Sequence, residues 1–335
     1  MVRTALTMSL MTGQPFSMIN IRAKRPQPGL RPQHVAAIKA AKAISGAEIT
    51  GAVPGSEEIS FKPGAIQPGN YQFNIGTAGS VSLVFQTTLI PLALCNSSSK
   101  ITIKGGTHVP WSPCFHYLEK VFLPAIYTMG IHCHINLKRW GFYPKGDGIM
   151  TAEISPSIPE YPFIPGAITN SRRKFSVSGI SVVSRLPLSI AKRQAEAAKR
   201  IFQPRNIECS IELQEVNARD PGTLLFLYAD QGFFCGTTAY GKKGKPAEQV
   251  GKEAAEQMTK FLDSRVEVDK YLSDQLLIPV AWAPIGSRWS TNVISSHFTT
   301  NIMVINQFRP MNIAIKRRRD GNWEIVHENP GCSAC

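Results

Sequence analysis

A helix followed by a strand occurs three times along the 335 residues of this chain, and this order constrains the fold more than any single motif does. Residues 1–12 put Val2, Leu6, Leu10 and Met11 on one side of a helix and Arg3 on another, with Gly13 placed to close it as a C-cap. The stretch PFSMINIR, from Pro15 to Arg22, then alternates as a strand does. A helix over 81–94 followed by a strand over 100–104 repeats the order, and a helix over 271–283 with a strand after Gly286 repeats it again. The spacing predicts one strand–helix–strand unit used three times.

Between these landmarks lie a helix over 32–45 ended by Gly46, short strands at 48–51 and 58–62, a strand over 71–75, and a helix over 114–129. Pro-Gly turns at 54–55, 63–64 and 68–69 separate the short strands. Residues 178–263 read differently, as a small α/β set of their own: helices over 189–202 and 246–262 alternate with strands near 179–183, 207–212, 223–228 and 233–239. Because the third repeat resumes only afterwards, the expected organisation is a large domain (1–177 and 264–335) holding an inserted small domain (178–263). The fold class is α/β (α+β), with β-sheets backed by helices.

The formal net charge of +14 suits a polyanionic partner, nucleic acid first among them, although a merely basic protein has the same number. The most apolar stretch, Val81 to Cys95, contains Gln86, two threonines and Pro91 and is too short to cross a bilayer, so no membrane partner is expected. The opening MVRTALTMSLM only faintly imitates a signal peptide, and a mature cytoplasmic chain is the expectation. The seven cysteines form no disulfide framework, and Cys332–Cys335 reads as an incidental tail. His132 and His134 alternate onto one strand face without a third ligand nearby, which reads as a solvated face.

Three stretches could carry chemistry. His297, in SSHFTTN, could act as a neutral imidazole nucleophile, but the window alone favours a hydrogen-bonded structural histidine in a strand. The loop from Arg22 to Arg31, RAKRPQPGLR, offers guanidinium forks to phosphates, or else is only a soluble connector. Gly76-Thr-Ala-Gly79-Ser80 opens the helix at Val81 and could hold an anion, yet it lacks both a P-loop lysine and the GxGxxG spacing.

Seven ordered segments, taken together, resemble the RNA 3′-terminal phosphate cyclase family over almost the whole chain: TGQPFSMINIRAKRPQPGLRPQH, IGTAGSVSLVFQT, KGGTHVPWSPCFHYLEKVFLP, RWGFYPKGDG, GKKGKPAEQVGKEAA, DKYLSDQLLIP and SSHFTTN. The resemblance implies an ATP-dependent reaction in which a histidine is adenylylated, AMP passes to an RNA 3′-terminal phosphate, and the neighbouring 2′-hydroxyl displaces it to leave a 2′,3′-cyclic phosphate. By position His297 is the nucleophile it implies. Tyr271, Leu272, Ser273, Asp274 and Gln275 match the family's YLADQ segment, with Ser273 for alanine; with Gln86 and Pro113 they form the implied ATP pocket. Arg3, Arg22, Arg25 and Gln33 are the implied phosphate or RNA contacts, and Mg²⁺ or Mn²⁺ the implied cation. Asp274 would touch the adenosine or orient His297; a helix-face carboxylate paired with a lysine is the plainer reading.

Two departures bear on this expectation. Family members begin with a strand and a GEGGGQ-type segment carrying an active-site glutamate, and this chain starts just after that point, so both are expected to be absent. The usual glycine triplet after Tyr-Pro-Lys reads Gly146-Asp147-Gly148, a turn that Asp tolerates better than most residues. The resemblance also leaves a second class open, a non-catalytic cyclase-like RNA-binding protein acting in ribosome assembly.

Overall fold

The computed structural model describes residues 1–166, 176–229 and 232–329. The first unit runs α1 (Val2–Thr12), β1 (Phe16–Met18), α2 (Pro32–Ser45), β2 (Glu48–Thr50) and β3 (Ile59–Lys62), and its antiparallel sheet has the order β1-β3-β2. Both helices stop at a glycine in the left-handed region, Gly13 at φ 71° and Gly46 at φ 66°, where a Cβ would be strained. Strand β1 is shorter than the expected 15–22. Asn20 (φ 55°) and Arg22 (φ 58°) turn the backbone left-handed, and Gly29 N–H closes the basic loop onto Ile21 O at 2.8 Å.

The second unit is β4 (Asn70–Asn74), α3 (Val81–Ala93), β5 (Ser99–Gly105), a broken helix, β6 (Cys133–Arg139) and β7 (Gly148–Ile154), in the sheet order β4-β5-β7-β6. Strand β4 runs parallel to β5 and the other pairs are antiparallel. The helix expected over 114–129 is three pieces: α4 (Phe115–Tyr117), a π-turn (Leu118–Phe122) and α5 (Leu123–Tyr127). Pro124 supplies the reason. It has no N–H to donate, and its ring would strike the carbonyl four residues back in a regular helix. The widened turn, in which Leu123 N–H bonds Leu118 O, accommodates it. In the Gly146-Asp147-Gly148 turn Asp147 does adopt φ 58°, and its carboxylate meets Lys104 at 2.7 Å and Arg139 at 3.4 Å.

Residues 176–264 form β8 (Ser176–Ser184), α6 (Leu188–Phe202), β9 (Glu208–Val216), β10 (Gly222–Ala229), β11 (Gly236–Tyr240) and α7 (Ala247–Ser264). The sheet order is β11-β10-β8-β9, with β8 and β9 parallel. One face carries α6 and α7 and has its own apolar cluster, in which Ala198, Phe202, Met258 and Phe261 meet Leu225 and Leu227. The other face belongs to the main core through Val182, Leu224 and Phe226. The two helices cross at Gly251, where a Cβ would lie 2.2 Å from Gln194 O.

The third unit repeats the first: α8 (Lys270–Trp282), β12 (Arg288–Thr291), α9 (Ser296–Asn306), β13 (Ile313–Arg317) and β14 (Trp323–His327), in the antiparallel order β12-β14-β13. Each unit therefore contains α-β-α-β-β with its last strand between the two before it, and the second carries β4 as an added first strand. Beside β12, Val268 N–H bonds Ser290 O at 3.1 Å, so the segment entering α8 flanks β12 as β4 flanks β5. The outer edge of β1 has no partner strand among the described residues. No helix among them is long and apolar enough to cross a membrane. Five described cysteines are free, and Cys332–Cys335 lies outside the described residues. His132 and His134 are both exposed, as read from the sequence.

Candidate functional site

His297 does not sit in a strand; it occupies the first turn of α9. Ser295 caps that helix in the manner expected of a hydroxyl before an apolar run: its Oγ accepts Phe298 N–H at 3.0 Å. The same hydroxyl donates to Asp274 Oδ1 on α8 at 2.7 Å. A carboxylate on one helix thus fixes the cap of the next, and with it the histidine two residues on. Phe298 is buried and anchors the turn while His297 stays exposed. Ser295 is the site residue that the sequence reading missed, although a serine ahead of Phe298, Ile302 and Ile305 is an N-terminal signal.

Helix α8 is held from below by Asp269. Its carboxylate accepts Tyr271 N–H at 2.8 Å, Leu272 N–H at 2.9 Å, Gly236 N–H at 3.0 Å and the Tyr117 hydroxyl at 2.9 Å. Burial raises the Asp269 and Tyr117 pKa values, which keeps the phenol a donor. Of the YLSDQ segment, Leu272 is in the core and Ser273 accepts Trp289 Nε1–H at 2.9 Å, so these two hold the helix in place. Tyr271 is half exposed, and Gln275 reaches Gln86 of α3, side chain to side chain. Gln86 also faces Arg3 Nη1, at 3.5 Å, and Thr4 donates to Asn301 of α9 at 2.8 Å. Helices α1, α3, α8 and α9 thus bring Arg3, Gln86, Gln275, Asp274 and His297 together. Pro113 is half-buried in the loop before α4.

The electrostatics of this cluster are cationic. Burial first, then the chain's N-terminal ammonium, Arg3 and Arg25, lower the His297 pKa below its ordinary 6.5. The sign matters, because a depressed pKa leaves a lone pair on the ring at neutral pH. Position in the first turn of a helix acts in the same direction. Burial lowers Arg3 to about 10, still charged at neutral pH, and lowers the N-terminal ammonium to about 6. His34 falls to about 4 through burial and the charges of Arg22, Arg3, the N-terminus and Arg31; its Nδ1 accepts Arg31 N–H at 3.0 Å. Arg22 folds back on its own loop, donating to Gln27 O at 2.7 Å and Gly29 O at 3.1 Å, whereas Arg25 is exposed. Gln33 meets the glycine turn through Ser80 N–H at 3.5 Å, a weak contact.

Asp274 is the carboxylate nearest His297 in this hydrogen-bonded network. Burial raises it from 3.8 to about 6, Asp269 adds to the rise, and the Ser295 hydroxyl and Lys270 oppose it. Among the described residues no lysine lies within 4.0 Å of the Asp274 carboxylate, and Lys270 acts on it from farther away. Among the described residues no three His, Cys, Asp or Glu side chains converge on a cation site.

His116 and His108 form a second histidine group. They are bonded to each other, Nδ1 to Nε2, at 2.8 Å and packed on Trp140. Burial pushes His116 to about 4 and His108 well below 6.5; His108 is fully buried and His116 partly so.

Comparison with known proteins bears on the whole chain. A sequence profile described as "RTC: RNA 3′-terminal phosphate cyclase" matches residues 1–315. A Pyrococcus furiosus protein named RNA 3′-terminal phosphate cyclase is 39% identical over 308 residues, 92% of this chain and 89% of the relative. One of the same name from Methanosarcina barkeri is 38% identical over 326 residues, covering 97% of this chain and 95% of its own length. A third, from Thermococcus onnurineus, is 40% identical over 309 residues.

Proposed function

The chain belongs to the RNA 3′-terminal phosphate cyclase family, and from that premise we propose that it converts an RNA 3′-terminal phosphate to a 2′,3′-cyclic phosphodiester at the expense of ATP, with His297 as the nucleophile. The observation that carries this reading is the setting of His297: a solvent-accessible imidazole in a capped helix turn, its pKa lowered by partial desolvation and by the cations around it.

A ring nitrogen of His297 attacks the α-phosphorus of ATP. The new N–P bond replaces the bond to the β-phosphate oxygen, pyrophosphate leaves, and the enzyme carries AMP as a phosphoramidate. An oxygen of the RNA 3′-phosphate then attacks the same phosphorus, which frees His297 and leaves AMP joined to the RNA through an anhydride. The adjacent 2′-hydroxyl attacks the RNA phosphorus, loses its proton to solvent, and expels AMP as the ring closes. Arg3 and Arg25, with the positive end of α9, neutralise charge that gathers on the phosphoryl oxygens. Gln86, Gln275, Tyr271 and Pro113 border the nucleotide, with Tyr271 offering its exposed ring to the base. Asp274 holds the Ser295 cap rather than taking a proton. Arg22, Arg25 and Gln33 face the RNA end.

Mg²⁺ or Mn²⁺ would withdraw negative charge from the triphosphate when bound. The steps above use this chain's own residues and are not routed through the ion. Residues 178–263 we read as an inserted domain, supported by the separate apolar cluster under α6 and α7.

The test is labelling with ATP carrying a radioactive α-phosphate. The wild-type chain should acquire an acid-labile label and His297→Ala none. Labelling that persists in His297→Ala refutes the assignment of the nucleophile. RNA binding with no labelling in either protein would favour the binding-only reading.

A further inference from the structure

Trp111 has no role in the reaction derived above, yet its conformation is unusual. It is 99% exposed, the most exposed of the large apolar residues described, and its backbone is left-handed at φ 62°. A bulky non-glycine residue rarely adopts that region, and such strain gathers at ligand clamps. Water around an entire indole is a second cost without any compensation inside the fold.

The loop that carries it is anchored. Thr107 and His108 donate backbone N–H groups to Gly141 O at 3.0 and 3.1 Å, and Phe115 N–H closes the loop on Thr107 O at 3.0 Å. Val109 and Cys114 are buried, Ser112 Oγ donates to Val109 O at 3.3 Å, and Pro110 and Pro113 stiffen the tip. The indole is therefore held out from a fixed base, so little further ordering is needed when a ligand meets it.

That base stands against the two helices that border the candidate pocket. Gly106, just before the loop, bonds Gly79 O at 2.8 Å and accepts Val81 N–H at 3.0 Å, at the start of the helix bearing Gln86. Just after the loop, Tyr117 donates to Asp269, the cap of the helix bearing Tyr271 and Gln275. Arg3, Arg22, Arg25 and Arg31 supply positive charge for a polyanion, and the exposed indole of Trp111 adds a flat apolar face for its bases.

We propose that Trp111 is a stacking platform for a nucleobase near the 3′ end of the RNA substrate, a binding residue that selects single-stranded ends without reading their sequence. The proposal rests on the chain acting on RNA. Every base has a π-face, so stacking on an indole tolerates any base and adds to phosphate contacts made elsewhere. An RNA strand held by the basic loop through its phosphates leaves its bases free for this contact. Adenine of ATP is the less fitting occupant, because Tyr271 already presents a ring to the nucleotide in the function proposed above.

The experiment is anisotropy of a 5′-labelled, mixed-sequence RNA ten-mer ending in a 3′-phosphate, titrated with the full chain in the absence of ATP. Trp111→Ala should weaken binding about tenfold to a hundredfold, and Trp111→Phe should restore most of it. Both variants should self-adenylylate at the wild-type rate and melt with the wild type, since a fully exposed side chain supports no core. Wild-type affinity in Trp111→Ala overturns the proposal. So does normal RNA binding with slowed adenylylation, which would assign the indole to ATP. A wild-type protein that becomes labelled but whose RNA affinity ignores Trp111 leaves the parent reading intact; one that never becomes labelled and binds no RNA removes both.

Discussion

Replacing Asp274 by Asn tests whether the carboxylate that fixes the α9 cap is as poorly solvated as its surroundings imply. Asn keeps an acceptor oxygen for the Ser295 hydroxyl, 2.7 Å away in the native protein, but cannot ionise. In the folded chain the carboxyl titrates at about 6 instead of 3.8, with burial the largest cause. A raised folded-state pKa means that the folded protein binds more protons than the unfolded chain between these values. The stabilisation linked to this proton is fully present below 3.8 and is lost as pH rises through 6. Between pH 4.5 and 7.5 the native protein should therefore lose at most about 2 kcal/mol relative to Asp274→Asn, at about 1.4 kcal/mol per pH unit over the titrating range. Urea unfolding of both proteins at several pH values, compared as differences, cancels the other titrating groups. Parallel stability profiles for the two proteins would refute the reasoning and would mean that water reaches Asp274 freely.

Ser295→Ala removes the hydroxyl that joins Asp274 to the Phe298 N–H, and should cost about 1 kcal/mol of stability in chemical unfolding while slowing self-adenylylation. An unchanged labelling rate would separate the cap from the placement of His297. Gly251→Ala puts a methyl within 2.2 Å of Gln194 O, a backbone atom that cannot swing aside. About 1–3 kcal/mol of destabilisation should appear in denaturant unfolding, and a neutral substitution would mean that α6 and α7 separate readily.

Local features of the fold were legible where a single residue decides the backbone. Gly13 and Gly46 end α1 and α2 at their expected places because left-handed caps leave a mark in one letter. PFSMINIR alternates through to Arg22, yet β1 ends at Met18, because loop closure from Gly29 to Ile21 turns the chain at Asn20. The π-turn could have been anticipated from Pro124 but not located. The site was legible as a set of residue types in order and illegible as a network. Gln86 and Gln275 are 189 residues apart and Ser295 and Asp274 are 21 apart, so neither contact can arise from periodicity. His297 could have been put on a helix by the serine before it; its low pKa depends on Arg3, Arg25 and the N-terminus, which only tertiary packing brings near.

The three α-β-α-β-β units have a consequence for how such a site can arise. The second helix of each unit begins at an equivalent place, and its second residue is Gln33 in the first, His116 in the second and His297 in the third. One of these lies beside a glycine turn, one is bonded to a buried histidine, and one is open. A symmetric trimer of separate subunits would have to carry the same side chain at all three positions. Joined end to end in one polypeptide, the copies are free to diverge, so a threefold-repeated scaffold can present a single exposed histidine at this position.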